Sequence, residues 1–176
     1  MTMQQLAAAL QRAETALRRR PAMGLHDDAP AVARWQSGTR VVAQHANGAQ
    51  IPTDMPQELG GSGDQVTPGW LFRAGLASCA ATTIAMAAAR AGIELSNLEV
   101  RAGSRSDTRG LLAMADADGE AVSATPSNLQ LQVRIGAPGV EPARLRSLVE
   151  ASCRCSPVPS AVRDAVAMDL RIEVAA

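Results

Sequence analysis

The residues best suited to chemistry in this 176-residue chain are its three cysteines. Cys79 lies in a run of alanine and serine, and Cys153 and Cys155 form a C-x-C pair much later in the chain. A thiol becomes a nucleophile only as the thiolate, and burial among alanines alone would keep it protonated. A cation has to be supplied, and Arg73, six residues before Cys79, together with Arg34 and Arg40 could supply it. Metal chemistry fits less well. A closed tetrahedral site wants four ligands at tight local spacing, but the C-x-C pair has no second pair, and His26 and His45 stand far from it. Gly60-Gly61-Ser62-Gly63 is followed by no lysine and is set too far from a helix start to cradle phosphate. Neither a metal nor another cofactor is expected.

Composition narrows the choice further. All 17 basic residues are arginine, so Schiff-base and P-loop lysine chemistry are excluded, and tyrosine is absent. The 17 basic residues balance 17 acidic ones, and Trp35, Trp70 and Phe72 are the only aromatics. A uniform basic field and a base-stacking surface are both missing, which argues against nucleic acid or an anionic membrane as partner. The apolar share of 47% is enough for a folded core. Residues 1–20 show no apolar segment behind a basic head. With an odd cysteine count, this predicts reduced thiols in the cytoplasm.

Several elements must position these thiols. Helical spacing of Leu6, Ala9, Leu10, Ala13 and Leu17 predicts a helix over 2–19, closed by three arginines and Pro21. Residues 1–21 read as a helical extension and 22–176 as one domain. Short strands are predicted at 31–36 and 39–45, joined at Ser37-Gly38, with a third near Gln50–Pro52 after the Asn47-Gly48 turn. A glycine- and proline-rich loop spans 53–68. Thr67 and Pro68 then start a helix that Gly92 ends. Its small, apolar residues on every side predict a buried helix that neighbours approach closely. Strands at 95–105 and 128–136 flank a polar connection at 106–126. An amphipathic helix over 141–153 leads into a Cys/Pro turn at 153–159. A short helix over 160–166 and a last strand over 168–175 complete an α+β chain of antiparallel sheet packed on long helices.

Four segments, in order, carry a resemblance to a known family. Trp35 and the stretch from Gly48 to Gly61 look like a first sheet and loop. Thr67-Pro68 opens a helix whose Leu71-Phe72-Arg73-Ala74-Gly75-Leu76-Ala77-Ser78-Cys79 is similar to "LLAAALAGC". Asp107-Thr108-Arg109-Gly110 looks like a "D-x-R-G" segment, and Cys155-Ser156-Pro157-Val158 like a "C-P-V" turn. Over roughly residues 29–175 the chain resembles the OsmC/Ohr family. That resemblance implies antiparallel sheets wrapped around long central helices in an intertwined homodimer, with sites at the subunit interface. It also implies a thiol-dependent peroxidase acting on organic hydroperoxides or hydrogen peroxide in oxidative-stress defence. Cys79 would be the peroxidatic thiol and Cys155, or Cys153, the resolving one. Arg40 would lower the Cys79 pKa, with Arg34 and then Arg73 as alternatives, and an external dithiol would reset the enzyme.

The chain differs from the family pattern at two places. Gly69-Trp70 stands where the family's peroxidases carry a glutamate, the nearest acids being Glu58 and Asp64. Ser156 stands where the resolving cysteine precedes Pro-Val, which displaces Cys155 and Cys153 by one and three residues. The alternative reading is a non-peroxidase member that binds a small apolar ligand at the dimer interface, its pocket reshaped by Trp70. A third reading gives the N-terminal helix a partner-binding role.

Overall fold

The computed structural model describes residues 1–174. Helix α1 (Met3–Arg19) opens on a capping box in which the Thr2 side chain and the Gln5 backbone N–H, and the reverse pair, satisfy each other. Strands β1 (Val32–Ser37), β2 (Arg40–Gln44) and β3 (Gln50–Thr53) form an antiparallel meander. Gly38, at φ +52°, takes the left-handed corner between β1 and β2. Helix α2 (Pro68–Arg90) is next, with the Thr67 hydroxyl accepting from the Trp70 N–H at 3.1 Å. Strands β4 (Asn97–Arg105) and β5 (Ser127–Gly136) pair antiparallel as a separate ribbon. Between them lies the single-turn helix α3 (Thr108–Leu111), and the chain continues into α4 (Pro142–Arg154) and α5 (Pro157–Arg163).

The core lies where α2 crosses the β4–β5 ribbon and α4. Ala88, Ile93 and Leu145 are buried together, with Met3, Leu95, Ile135, Val140 and Leu148 packed against them. Each large side chain removed from water here stabilises the fold by about 1.5–3 kcal/mol. Leu76, Ala80 and Ile84 extend this buried row up α2 at helical spacing. The β1–β3 sheet has at most marginal contact with any helix or with the β4–β5 ribbon.

Three expectations need correction. The 68–92 helix was expected to be buried all round, but α2 buries one face only, leaving Ser78, Thr82 and Met86 exposed along another. Among the described residues, α1, Cys155 and α5 border that side. At 23 residues α2 is also long and apolar enough to cross a bilayer, although it packs against α1, β4, α4 and α5. The last strand does not form over 168–174, where Met168, Leu170, Ile172 and Val174 are all exposed. A strand needs a neighbouring edge for its backbone groups, and the chain brings none to this segment; residue 175 lies outside the described residues. The final helix begins at Pro157 and not at 160. Proline is well suited to the first helical position, so the predicted turn shrinks to Cys155-Ser156. The polar connection at 106–126 holds α3 and an isolated bridge between Ala115 and Ala121.

Candidate functional site: a thiol groove between α1, α2 and α5

Cys79 sits midway along α2, and the α4–α5 corner delivers Ser156 and Val158 to its sulfur. The Ser156 hydroxyl donates to Cys79 Sγ at 3.3 Å, and the Val158 N–H donates to it at 3.4 Å. Ser156 occupies the N-cap position of α5, yet its side chain makes no cap bond to that helix. Its hydroxyl is turned instead toward α2 and is fully buried. Thr83, one turn beyond Cys79, donates either to the Cys79 carbonyl at 2.9 Å or to Ser156 Oγ at 3.2 Å. The Thr83–Ser156–Cys79 chain of hydroxyls therefore holds the sulfur in a fixed direction, since hydrogen bonds in a row reinforce one another.

The sulfur borders a groove of about 800 Å³ with a mainly apolar lining. Leu10, Ala13 and Leu17 of α1 form one wall, Gly75, Cys79 and Met86 of α2 the floor, and Pro157 and Val158 the far side. Glu14 and Arg90, paired at 2.8 Å, tie α1 to α2 at one end. Space of this size with few polar groups suits a small apolar molecule. Trp70, expected to reshape the pocket, lies at the first turn of α2, half exposed, and is not part of the groove lining.

The other two thiols differ from each other. Cys155 lines the groove, but its Sγ lies 3.4 Å from the Ser152 carbonyl and 3.5 Å from that of Ala151, bonding back onto α4. Cys153 is half-buried on α4; burial pushes its thiol up, and Cys155 adds to the shift. All three cysteines are free, and neither Cys153 nor Cys155 bonds Cys79 among the described residues.

Arg40 is brought to a different place. It starts β2 and reaches the 54–64 loop, where its guanidinium donates to Asp54 Oδ2 at 3.1 Å, to Ser62 Oγ at 2.6 Å and to Asp64. Asp54 is buried and accepts from the Thr39 hydroxyl at 2.5 Å, the Met55 N–H at 2.8 Å, and both the N–H and the hydroxyl of Ser62. The Thr39 hydroxyl, then that of Ser62, holds the Asp54 carboxyl well below the usual range. Asp64 is lowered chiefly by Ser62, and the hydrogen bond to Asp54 raises Arg40. Gly61 fits this turn because a Cβ would stand 1.7 Å from the Met55 carbonyl oxygen. The cluster lies on the β1–β3 side, and among the described residues Arg40 does not bond Cys79. Arg34 bonds Gln44 across the β1–β2 ladder at 2.9 Å, and Arg73 reaches Ser104 at 3.4 Å. The Asp107–Arg109 pair is structural: Asp107 caps α3 and grips Arg109, and Gly110 passes under the Ser123 carbonyl, where a Cβ would sit 2.3 Å away.

Sequence reasoning treated Ser156 only as a missing cysteine, took Val158 only as part of the "C-P-V" resemblance, and did not single out Thr83. Ser156 followed by Pro157 reads as a helix start, which places Ser156 at the α4–α5 corner, although its hydroxyl turns toward α2 and does not cap α5. Asp54 and Ser62 were seen as loop residues. Nothing local foretold that they converge on Arg40.

Comparison with known proteins agrees with this architecture. A family model described as OsmC-like protein matches residues 61–171. The crystal structure of an OsmC-like protein from Mycoplasma pneumoniae superposes with a TM-score of 0.64 at 16% identity, over 79% of this chain and 89% of that one. An organic hydroperoxide resistance protein OsmC from Legionella pneumophila gives 0.56 at 21% identity, over 78% and 92%. An organic hydroperoxide resistance protein from Elizabethkingia anophelis, with crystallant-derived thiocyanate bound, gives 0.56 at 21%, over 79% and 90%. No curated protein matches the sequence. At these identities the structural likeness carries the fold, and the family model covers most of the chain from the 60–68 loop past α5. The α+β architecture and its antiparallel sheets match those of OsmC-like proteins, the family to which this chain belongs.

Proposed function

We propose that this chain is a thiol-dependent peroxidase of oxidative-stress defence, reducing organic hydroperoxides or hydrogen peroxide at Cys79. The observation that carries the reading is the Cys79 sulfur itself, held by Ser156 and Val158 at the side of a mainly apolar groove. The thiolate attacks the outer oxygen of the peroxide. The O–O bond breaks, the alkoxide takes up a proton and leaves as the alcohol, and the sulfur is left as sulfenic acid. The hydroxyl and N–H donors hold the sulfur in place, and an apolar groove favours a peroxide with a hydrocarbon body. Hydroperoxide resistance is named for the Legionella and Elizabethkingia neighbours, which share this fold. The reading places the protein in the cytoplasm as a homodimer, in which a second copy would carry the Arg40 cluster toward Cys79.

Reduced protein titrated with cumene hydroperoxide, with free thiols counted at intervals, tests the proposal. Rapid thiol loss that vanishes in Cys79→Ser is the expected result. Thiols that stay reduced for hours would overturn it and leave the apolar groove as a binding site for an unreactive ligand.

A further inference from the structure

We infer that Cys79 works as a single reactive thiol, discharged by a small external monothiol that enters the groove, because the side chain facing its sulfur is a hydroxyl. This rests on the proposal that peroxide oxidises Cys79. The position that would have to hold a second sulfur is Ser156, whose Oγ lies 3.3 Å from Cys79 Sγ and is fully buried. A serine hydroxyl cannot form a disulfide; it can only donate to the sulfur and hold it. Neither of the two real candidates bonds the Cys79 sulfur among the described residues. The Cys155 thiol bonds back onto the carbonyls of Ser152 and Ala151, and Cys153 sits on α4, where its half-buried setting disfavours the thiolate. The groove, by contrast, leads directly to Cys79 and has room for a second small molecule after the alcohol has left.

The reaction balances with two external thiols. The monothiol sulfur attacks the Cys79 sulfenic sulfur; an S–S bond forms, the S–O bond breaks, and the oxygen leaves with two protons as water. A second monothiol attacks the outer sulfur of this mixed disulfide. Cys79 departs as thiolate, and the small-molecule disulfide carries away the two electrons' worth of oxidation. Ser156 touches the reacting atom throughout and is catalytic in that sense.

Mapping the oxidised protein decides the matter. Wild-type protein is treated with one equivalent of cumene hydroperoxide, quenched with dimedone or N-ethylmaleimide, and mapped by mass spectrometry. The expected result is a dimedone adduct on Cys79 with Cys153 and Cys155 still free. Added 2-mercaptoethanol should convert that sulfur into a mixed disulfide. Ser156→Cys should instead close an internal disulfide with Cys79 and lose the dimedone adduct. A disulfide joining Cys79 to Cys155 or Cys153 in the wild type, within one chain or between two, would overturn the inference while leaving the peroxidase reading intact. No oxidation of Cys79 at all would overturn both. If Ser156→Cys fails to fold, the wild-type map still decides.

Discussion

A carboxylate as enclosed as Asp54 leaves a trace in acid. Thr39 and Ser62 donate to the charged form, so its folded pKa lies below the unfolded value of about 3.9. The unfolded chain therefore binds the proton first as pH falls. The stability contributed by Asp54 is complete well above pH 4 and is lost as pH drops through the folded pKa. We expect the urea midpoint of wild-type protein to fall steadily below about pH 4. Asp54→Asn should be less stable at neutral pH and show a flatter acid limb; an acid limb parallel to the wild type would assign the loss to other carboxylates. At this scale the sequence was most readable where chemistry is local. Cys79 stood out as a thiol in a helix of small residues. The Arg40–Asp54–Ser62–Asp64 cluster did not, because its members meet through the backbone path of the 54–64 loop, which spacing alone does not reveal.

Helices were legible at the scale of elements because their signals are short-range. Thr67 and Pro142 mark the starts of α2 and α4, and pairing within β1–β3 follows from two glycine turns. The 168–174 segment alternates as cleanly as β5, yet it stays unpaired, since alternation reports a half-buried face and not the edge that would bind it. The element with the clearest functional consequence is α1. It lies outside the matched family segment, buries no residue fully, and still provides the Leu10–Leu17 wall of the thiol groove. Deleting residues 1–21 removes that wall and the Glu14–Arg90 tie. We expect kcat/KM for cumene hydroperoxide to fall about tenfold while that for hydrogen peroxide stays within about threefold, since only the larger substrate uses the apolar contact. An equal fall for both would mean that α1 serves stability alone.

The whole chain exposes 13091 Å², whereas a compact monomer of this size is expected to expose roughly 8,100 Å². The excess is more than half of the roughly 2,000–5,000 Å² and above that a permanent interface removes from both partners together, so one chain alone exposes as much as or more than such an interface would take from it. It is distributed where it would matter: every residue of β1 is exposed, as are Trp35, Trp70, Leu111 and Leu112 and the apolar residues of the C-terminal segment. A second copy wrapped around the first would cover these faces and supply the missing edge. We expect sedimentation at micromolar concentration to give twice the chain mass; a monomeric boundary would refute this and leave the exposed faces unexplained. If the proposed homodimer forms, the fold would have no melting temperature of its own. Its folded fraction would follow the law of mass action, rising with every increase in abundance and falling on dilution. The amount of protein a cell makes would then set how much of it is folded, and a newly made chain would remain vulnerable to proteolysis until it met its twin.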